Sequence, residues 1–388
     1  MKFTVNRPAF CEALKTVMNV GKSSLLTRIS GIYLYADASK RILELIGTDV
    51  ITSVVKRIRD ADISMSGEII LPPVVLEILR KTKEESVTIE TDENGALGLS
   101  FGSSRYLLVT KPANEFPKSE LVFPTAYVSV SGLLPLLKHA AFAADTKGDK
   151  RELQGVTLRL TPGISTAEAM NQNRMASAVN RNAADGETEM KLHISAVNIL
   201  FSLLSADKTV YAGTADQRAV FVCGDTVFST VMMNKTGPDM SSFVKRLVPE
   251  YCAVAGAKEL LNAIQTAAVC QLPGDDKCVN ICFTPMGIRL SCAAYKRSSS
   301  AFVATLCDNP TPDAGFNYDP RIIEDFLSLT TGNVSVKLDK KGFMLLESAD
   351  GVYLVTPRNA VSIVKPKAKP EKAEKAEKKT AKKTKKAA

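Results

Sequence analysis

The sequence predicts an α+β fold in which one unit of about 124 residues is repeated three times. Strand-like runs of similar pattern begin at residues 31, 155 and 279, which are equally spaced: GIYLYA, GVTLRL and VNICFT. Aromatic residues in later strand-like runs keep nearly the same interval, at Tyr106, Phe228 and Tyr353. Independent landmarks that share one period indicate an internal repeat, and a repeat of this length decides the fold.

Each unit combines amphipathic helices with alternating strands. The clearest helix–strand segments are 72–91, 194–213 and 318–338, and two more alternating runs follow each of them. Another helix-like stretch and a strand precede each segment, so the pattern occurs twice in every unit. Helical spacing followed by period-two alternation predicts a helix on one face of a sheet. Glycine turns at 93–95 and 340–342 predict antiparallel hairpins.

The repeat divides the chain into three domains and a tail. The predicted domains are 1–124, 125–250 and 251–364, and residues 365–388 show no apolar periodicity. This tail holds eleven Lys and three Glu, so it carries +8 of the total charge of +9 and leaves +1 for the body. We predict that the tail is disordered, because it cannot bury apolar surface. The total charge therefore does not indicate a basic nucleic-acid-binding body.

Composition is that of a globular protein, with 45% hydrophobic and 23% charged residues in 388. No apolar run approaches the roughly 18 residues needed to cross a bilayer. The first ten residues lack the apolar core of a signal peptide. We therefore expect a cytoplasmic protein.

Eight cysteines do not form a recognisable metal site. Cys278 and Cys282 have the spacing of half a zinc site, but they flank an alternating run typical of a strand, and no second close pair follows. The two histidines, His139 and His193, lie far from them in sequence. Buried free thiols are the preferred interpretation, and we expect no metal and no cofactor.

The motifs of nucleotide-binding and catalytic sites are also incomplete in this sequence. GKSS at 21–24 is similar to the end of a phosphate-binding loop, but Thr16 stands where the pattern requires glycine. Neither histidine lies beside a Ser or Cys nucleophile pattern, so no hydrolase triad can be argued. We predict that the chain is not an enzyme.

Short motifs at intervals along the chain resemble the bacterial DNA polymerase III beta subunit, the beta sliding clamp. They occur in the family's order over residues 1 to about 361: MKFTV at the start, Gly47-Thr48-Asp49, Ser104-Arg105-Tyr106, Asn114-Glu115-Phe116-Pro117, Leu153-Gln154-Gly155-Val156, Pro238-Asp239, Arg246-Leu247-Val248-Pro249, Gly315-Phe316-Asn317 and Tyr353-Leu354-Val355-Thr356-Pro357-Arg358. The resemblance implies three DNA-clamp domains, with helices that line a ring and antiparallel sheets on its outer rim.

The same resemblance implies a function in DNA replication. Two chains would close head to tail into a homodimeric ring around double-stranded DNA, at the nucleoid of a bacterial cytoplasm and without sequence preference. The ring would tether DNA polymerase, and the clamp loader and repair proteins would bind through short clamp-binding peptides. Phosphate contacts supply sequence-independent affinity, and a topological link supplies processivity without tight binding.

Cations that the resemblance places near DNA lie on helices and in the loop before residue 155. They are Lys15, Lys22, Arg80, Lys81, Lys138, Lys147, Lys150 and Arg151. Each of them could equally be an ordinary solvated surface charge.

The family's partner-peptide pocket lies between the second and third domains. By alignment it would comprise Leu153, Met170, Arg174, Met175, Pro238, Arg246, Leu247, Phe343, Leu354, Thr356, Pro357 and Arg358. The run MNQNRM at 170–175 replaces the family's Thr-Asp-Gly-His-Arg-Leu, so we expect an altered peptide preference. The methionines keep this wall apolar and adaptable. The alternative is that the leucines are plain core residues.

The ring interface of the family joins the first domain of one chain to the third domain of the other. Tyr106 and Leu108 match its edge strand, and Val269 and Cys270 match the end of the facing helix. Alternatively, these apolar residues are covered within one chain.

Two other hypotheses remain open at this point. A divergent clamp paralogue, from a mobile element or with an accessory role, would have altered partners or no ring closure, as the changed pocket and the Lys-rich tail suggest. An enzyme on a repeat scaffold rests only on the cysteines, and it would require an accessible thiol with a low pKa.

Overall fold

A computed structural model describes residues 1–21, 31–59, 61–92, 95–116, 122–181, 184–205, 208–234, 240–271, 277–294, 297–311 and 315–358. Lys22, Pro238 and the Lys-rich tail, for which we made predictions, lie outside the described residues. No helix in the described ranges is long and apolar enough to span a membrane.

Helices and strands follow the repeat. The first repeat contains β1 (Lys2–Asn6), α1 (Arg7–Gly21), β2 (Ile32–Asp37), β3 (Ile42–Thr48), β4 (Thr52–Arg59), β5 (Asp62–Met65), β6 (Gly67–Leu71), α2 (Val74–Lys81), β7 (Ser86–Thr91), β8 (Ala96–Phe101) and β9 (Ser104–Val109). The second contains β10 (Val128–Val130), α3 (Leu133–Ala141), β11 (Gly155–Leu160), β12 (Ile164–Met170), β13 (Arg174–Arg181), β14 (Thr188–His193), α4 (Ile194–Phe201), β15 (Val210–Ala215), β16 (Arg218–Cys223), β17 (Thr226–Val231) and α5 (Met240–Arg246). The third contains β18 (Tyr251–Gly256), α6 (Ala257–Ala268), β19 (Val279–Thr284), β20 (Gly287–Ala294), β21 (Arg297–Ala304), β22 (Phe316–Tyr318), α7 (Pro320–Leu327), β23 (Asn333–Leu338), β24 (Met344–Ser348) and β25 (Gly351–Val355).

The paired helices of each repeat pack on each other and on the sheets. α1 contacts α2, α3 contacts α4 and α6 contacts α7. Their apolar faces join one continuous core that runs through all three repeats. Gly47 in β3 shows how close this packing is, because a Cβ atom there would lie 2.1 Å from the carbonyl oxygen of Val17 in α1. The predicted helix-on-sheet layers are therefore confirmed, and α5 is an additional helix that the pattern did not reveal.

The described strands form four antiparallel sheets, of which the two longer ones connect successive repeats. Two of them have eight strands each, in the orders β10-β15-β16-β17-β4-β3-β2-β6 and β14-β11-β12-β13-β25-β24-β23-β18. The other two are shorter, with the orders β5-β1-β7-β8-β9 and β21-β20-β19-β22. Each long sheet crosses from one repeat to the next at a single strand pair, β4 with β17 and β13 with β25. We call these two strand pairs the first joint and the second joint.

Candidate functional site

An apolar pocket of about 300 Å³ lies beside the second joint. Its floor is a cluster centred on the buried side chains of Met175, Leu345 and Leu354. We call this cavity the joint pocket; its lining comprises Lys150, Glu152, Leu153, Met170, Asn171, Gln172, Arg174, Met175, Phe243, Phe343, Leu354 and Thr356. Mostly apolar walls with a few polar groups are typical of a site that binds a short peptide or small molecule.

Most of the residues predicted from the resemblance meet at this pocket. Leu153, Met170, Arg174, Met175, Phe343, Leu354 and Thr356 line it. Leu247 packs against its apolar floor, and Arg246 is exposed at the end of α5. Arg358 is instead directed to α7, where its Nη2 donates to Asp319 Oδ2 at 3.1 Å. The adjoining Pro357 is half-buried outside the lining.

Sequence reasoning missed Lys150 as a pocket residue, although it named it for DNA, and it missed Phe243 altogether. Phe243 lies on α5 and is 43% exposed. An aromatic residue placed three before the Arg246 motif was a usable signal, but the helix that presents it was not recognised.

Arg174 holds the pocket wall to its neighbours. Its Nη1 pairs with Asp325 of α7, and its Nη2 donates to the carbonyl oxygen of Phe142 at the end of α3. The guanidinium also lies 5.4 Å from the centre of the Phe142 ring. One side chain therefore connects elements of the second and third repeats at the second joint.

We expect Arg174→Lys to lower the midpoint of thermal unfolding, because an ammonium group cannot reproduce the planar fork that meets both partners. Loss of one charged hydrogen bond costs about 1.5–3 kcal/mol. Arg159→Lys is the matched control, since Arg159 forms an exposed pair with Glu168 at 3.0 Å. Equal midpoints for the two variants would contradict the role of Arg174.

The described cations predicted to face DNA are all exposed: Lys15, Arg80, Lys81, Lys138, Lys147, Lys150 and Arg151. Lys15 lies on α1, Arg80 and Lys81 end α2, and Lys138 lies on α3. Lys147, Lys150 and Arg151 lie in the segment between α3 and β11. Among the described residues none of these seven forms an ion pair with a carboxylate, so their charges are available to a polyanion.

Two edge strands carry exposed apolar side chains. In β9 the side chains of Tyr106, Leu107 and Val109 are 41%, 70% and 89% exposed. In β21 Phe302 is 53% exposed, and Val269 at the end of α6 is 75% exposed. Within the described chain, β9 and β21 each have a strand neighbour on one side only. Exposed apolar edge strands favour pairing with another chain.

Comparison of the three repeats explains the exposure of Tyr106. Tyr106, Phe228 and Tyr353 occupy equivalent strands, yet Phe228 and Tyr353 are fully buried. Their strands, β17 and β25, are paired across the two joints, whereas β9 is an edge. The exposure of Tyr106 therefore follows from a missing strand partner.

Two predicted interface residues lie deeper than the others. Leu108 is half-buried and packs against the core of its own chain. Cys270 is 7% exposed, and its sulfur lies 3.6 Å from the carbonyl oxygen of Cys292. Leu107, Val109 and Phe302 offer more accessible apolar surface, and strand alternation alone did not reveal which face of β9 is open.

Burial limits the reactivity of three of the cysteines. Burial raises the pKa of Cys223 and of Cys292 to about 11, so neither is a thiolate at neutral pH. Burial opposes ionisation of Cys270 too, although hydrogen bonds from Ser299 and Cys292 lower its pKa, and its side chain is buried. No group of three metal-binding side chains occurs in the part of the chain that the structure describes.

Comparisons with known proteins agree with this architecture. Residues 1–120 match the family described as DNA polymerase III beta subunit, N-terminal domain. The beta sliding clamp of Synechococcus elongatus is 24% identical over 347 residues, which are 85% of this chain and 91% of the relative. The clamp of Vibrio cholerae is 23% identical, over 92% and 99% of the two chains. The crystal structure of the Bacillus subtilis DNA polymerase sliding clamp superposes with a TM-score of 0.85 at 18% identity, over 92% of this chain and 99% of that one.

The three repeats and their antiparallel sheets give the chain the fold of the DNA sliding clamps. Family, relatives and fold together indicate the DNA polymerase III beta sliding clamp, so the resemblance found in the sequence is confirmed. Sliding clamps are non-enzymatic processivity factors of DNA replication, and the prediction that the chain is not an enzyme is confirmed on that ground.

Proposed function

We propose that two copies of the chain close head to tail into a ring, with β9 of one copy paired to β21 of the other. The observation that carries this proposal is the exposure of Tyr106, whose repeat counterparts are buried by strand pairing across the joints. Such a pair would join the five-stranded sheet to the four-stranded sheet, in the same way that the joints complete the two long sheets. A heterologous contact that closes after two copies gives a finite ring.

Domain bounds of 1–124, 125–250 and 251–364 remain part of this proposal. They are supported by the positions of the joints, since each long sheet takes four strands from each of two successive repeats. A ring of two chains would then contain six similar domains.

The ring would encircle double-stranded DNA without reading its sequence. The exposed cations on α1, α2 and α3 and in the segment 147–151 support this, because they have no carboxylate partners in the described chain and can approach phosphates. Few such contacts are required, since the topological link and not the affinity retains the ring on DNA. Action on chromosomal DNA implies a bacterial cytoplasmic location at the nucleoid.

The joint pocket would bind the short peptides through which DNA polymerase, the clamp loader and repair proteins are tethered. Its apolar floor of Met175, Leu345 and Leu354 suits two apolar anchors, and its rim of Asn171 and Gln172 offers amides for the peptide backbone. These amides stand where the family has Asp-Gly, and Asn173 stands where it has His. A divergent clamp with its own partner preference is therefore the second candidate function.

Removal of residues 365–388 should weaken direct binding to linear DNA while retention on circular DNA persists. Each neutralised phosphate contributes roughly 0.9 to the log–log slope of affinity against salt. Because the tail carries +8 of the total charge of +9, we expect the slope to flatten by several units in the truncated chain.

The measurement is a salt titration on linear duplex, where a ring can slide off, beside a retention assay on closed circular duplex. Equal slopes for the full and truncated chains would exclude an electrostatic role for the tail. Loss of retention on circular DNA would instead make the tail part of ring closure.

A further inference from the structure

A second cleft, of about 700 Å³, lies beside the first joint. We call it the first-joint cleft; its lining includes Ile51, Val231, Met232, Met233, Arg151 and His193. Ile51 is 60% exposed and Val231 is 39% exposed, so the cleft presents aliphatic surface to the solvent. Its volume lies within the range of roughly 300–1,000 Å³ that is usual for ligand sites.

The first-joint cleft stands in the same relation to the repeat as the joint pocket. The turn between β3 and β4 precedes the first joint, where Thr52 is paired with Thr230, and it lines the cleft with Asp49 and Ile51. The turn between β12 and β13 precedes the second joint, where Arg174 is paired with Val355, and it lines the joint pocket with Asn171 and Gln172. Equivalent turns therefore form one edge of each cavity. The turn at the first-joint cleft presents Ile51, whereas the turn at the joint pocket presents the amides of Asn171 and Gln172.

The turn at the first joint holds Ile51 in a fixed exposed position. Asp49 Oδ1 accepts a hydrogen bond from the Thr52 amide at 2.6 Å, and Val50 has a φ of +77°, a conformation that β-branched residues seldom adopt. Arg218 donates from its Nη2 to the carbonyl oxygen of Ile51 at 3.0 Å. A turn whose backbone is already fixed loses little backbone entropy when a ligand covers it.

The two cavities adjoin at one residue. Glu152 lines both of them, because the 3-10 turn Arg151–Leu153 separates them, with Leu153 on the side of the joint pocket and Arg151 on the side of the first-joint cleft. The buried side chain of Lys191 donates to the Glu152 carbonyl oxygen at 2.8 Å and fixes this turn from below. A chain that leaves the joint pocket over Glu152 therefore enters the first-joint cleft.

Charges in the first-joint cleft disfavour an anionic ligand. Its lining carries the cation of Arg151 and the carboxylates of Asp49 and Glu152, a net charge of −1, and burial lowers the pKa of His193, which favours its neutral form. His193 also hydrogen bonds to Ser195 at 2.7 Å. An uncharged segment with an aliphatic side chain matches this lining best.

We propose that the first-joint cleft binds an additional aliphatic anchor of the same partner segment whose clamp-binding motif occupies the joint pocket. This inference rests on the proposed peptide function of the joint pocket and extends it, because it assigns partners a longer recognition segment. Partners with the extra anchor would bind more tightly than partners with the short motif alone.

Peptide titration calorimetry on the full chain tests the proposal. The core probe is Gln-Ala-Ser-Leu-Phe, and the extended probes add a Gly/Ser spacer of two, four or six residues and a terminal Leu-Val at either end. We expect one extended probe to bind about tenfold more tightly than the core, which corresponds to about 1.4 kcal/mol. The same probe ending in Ser-Ser should show no gain.

Ile51→Asp should abolish the gain of the extended probe while binding of the core probe stays unchanged, and Ile51→Ser should act in the same direction. Ile164→Asp is the matched control, because Ile164 is a 53% exposed isoleucine on β12 outside both cavities. The proposal is overturned when no extended probe exceeds the core, or when the gain persists in Ile51→Asp. Failure of the core probe to bind wild type is a different result, since it overturns the peptide function itself.

Discussion

Tyr106→Asp should convert the proposed dimeric ring into monomers. The substitution places a carboxylate on β9, in the surface that we propose to be covered by β21 of the second copy. Full burial of a large apolar side chain contributes about 1.5–3 kcal/mol, and the change also buries an unpaired charge at each of two contacts. We therefore expect the dimer dissociation constant to rise by at least two orders of magnitude. Sedimentation velocity or light scattering over a concentration series measures it.

Tyr211→Asp is the control for this experiment, because Tyr211 is a 50% exposed tyrosine on β15, inside a sheet that is complete within one chain. It should remain dimeric. An unchanged dimer in Tyr106→Asp would contradict the proposed interface, and a wild-type monomer at all concentrations would remove the ring itself.

Met175→Lys should remove most of the affinity of the joint pocket for a Gln-x-x-Leu-Phe peptide. Met175 is 7% exposed on the pocket floor, beside Leu345 and Leu354. A lysine there would place its ammonium group in the space that the apolar anchor of the peptide fills. An ammonium group is costly to bury without a partner. Motif peptides of this length bind with micromolar affinity at best, so a loss of about a hundredfold leaves no measurable binding.

Calorimetry on the wild type, on Met175→Lys and on a control variant measures the effect, and thermal unfolding shows whether each variant is folded. Met286→Lys is the control, because Met286 is 75% exposed and lies in the third repeat away from the pocket lining. If Met175→Lys and wild type bind the peptide equally, the partner site lies elsewhere.

The repeat explains why so much of the fold could be predicted. Helical periodicity followed by alternation is set by local burial, and it recurs at α2, α4 and α7 with the same following strands. The alternation of residues 279–284 predicted a strand there, and the structure has β19 at these residues. The same alternation was the reason for rejecting a zinc site. Each of these inferences needed only neighbouring residues.

Other features depend on contacts between distant residues, and the sequence could not predict them. The resemblance assigned Arg358 to the pocket. Its guanidinium instead forms an ion pair with Asp319, which lies 39 positions earlier in the sequence. Phe243 reached the pocket through the unpredicted helix α5. The first-joint cleft went unnoticed because Ile51 and Val231 meet only through the pairing of β4 with β17.

The two joints differ from the proposed contact of β9 with β21 in one respect, which is that a continuous chain connects the strands on both sides of each joint. Strands tethered in this way meet at a high effective concentration that dilution cannot change. A contact between separate chains follows mass action instead. Dilution, or a protein that competes for one edge strand, should therefore part the proposed ring at the β9–β21 contacts while both joints stay closed, which would make these contacts the place where DNA enters.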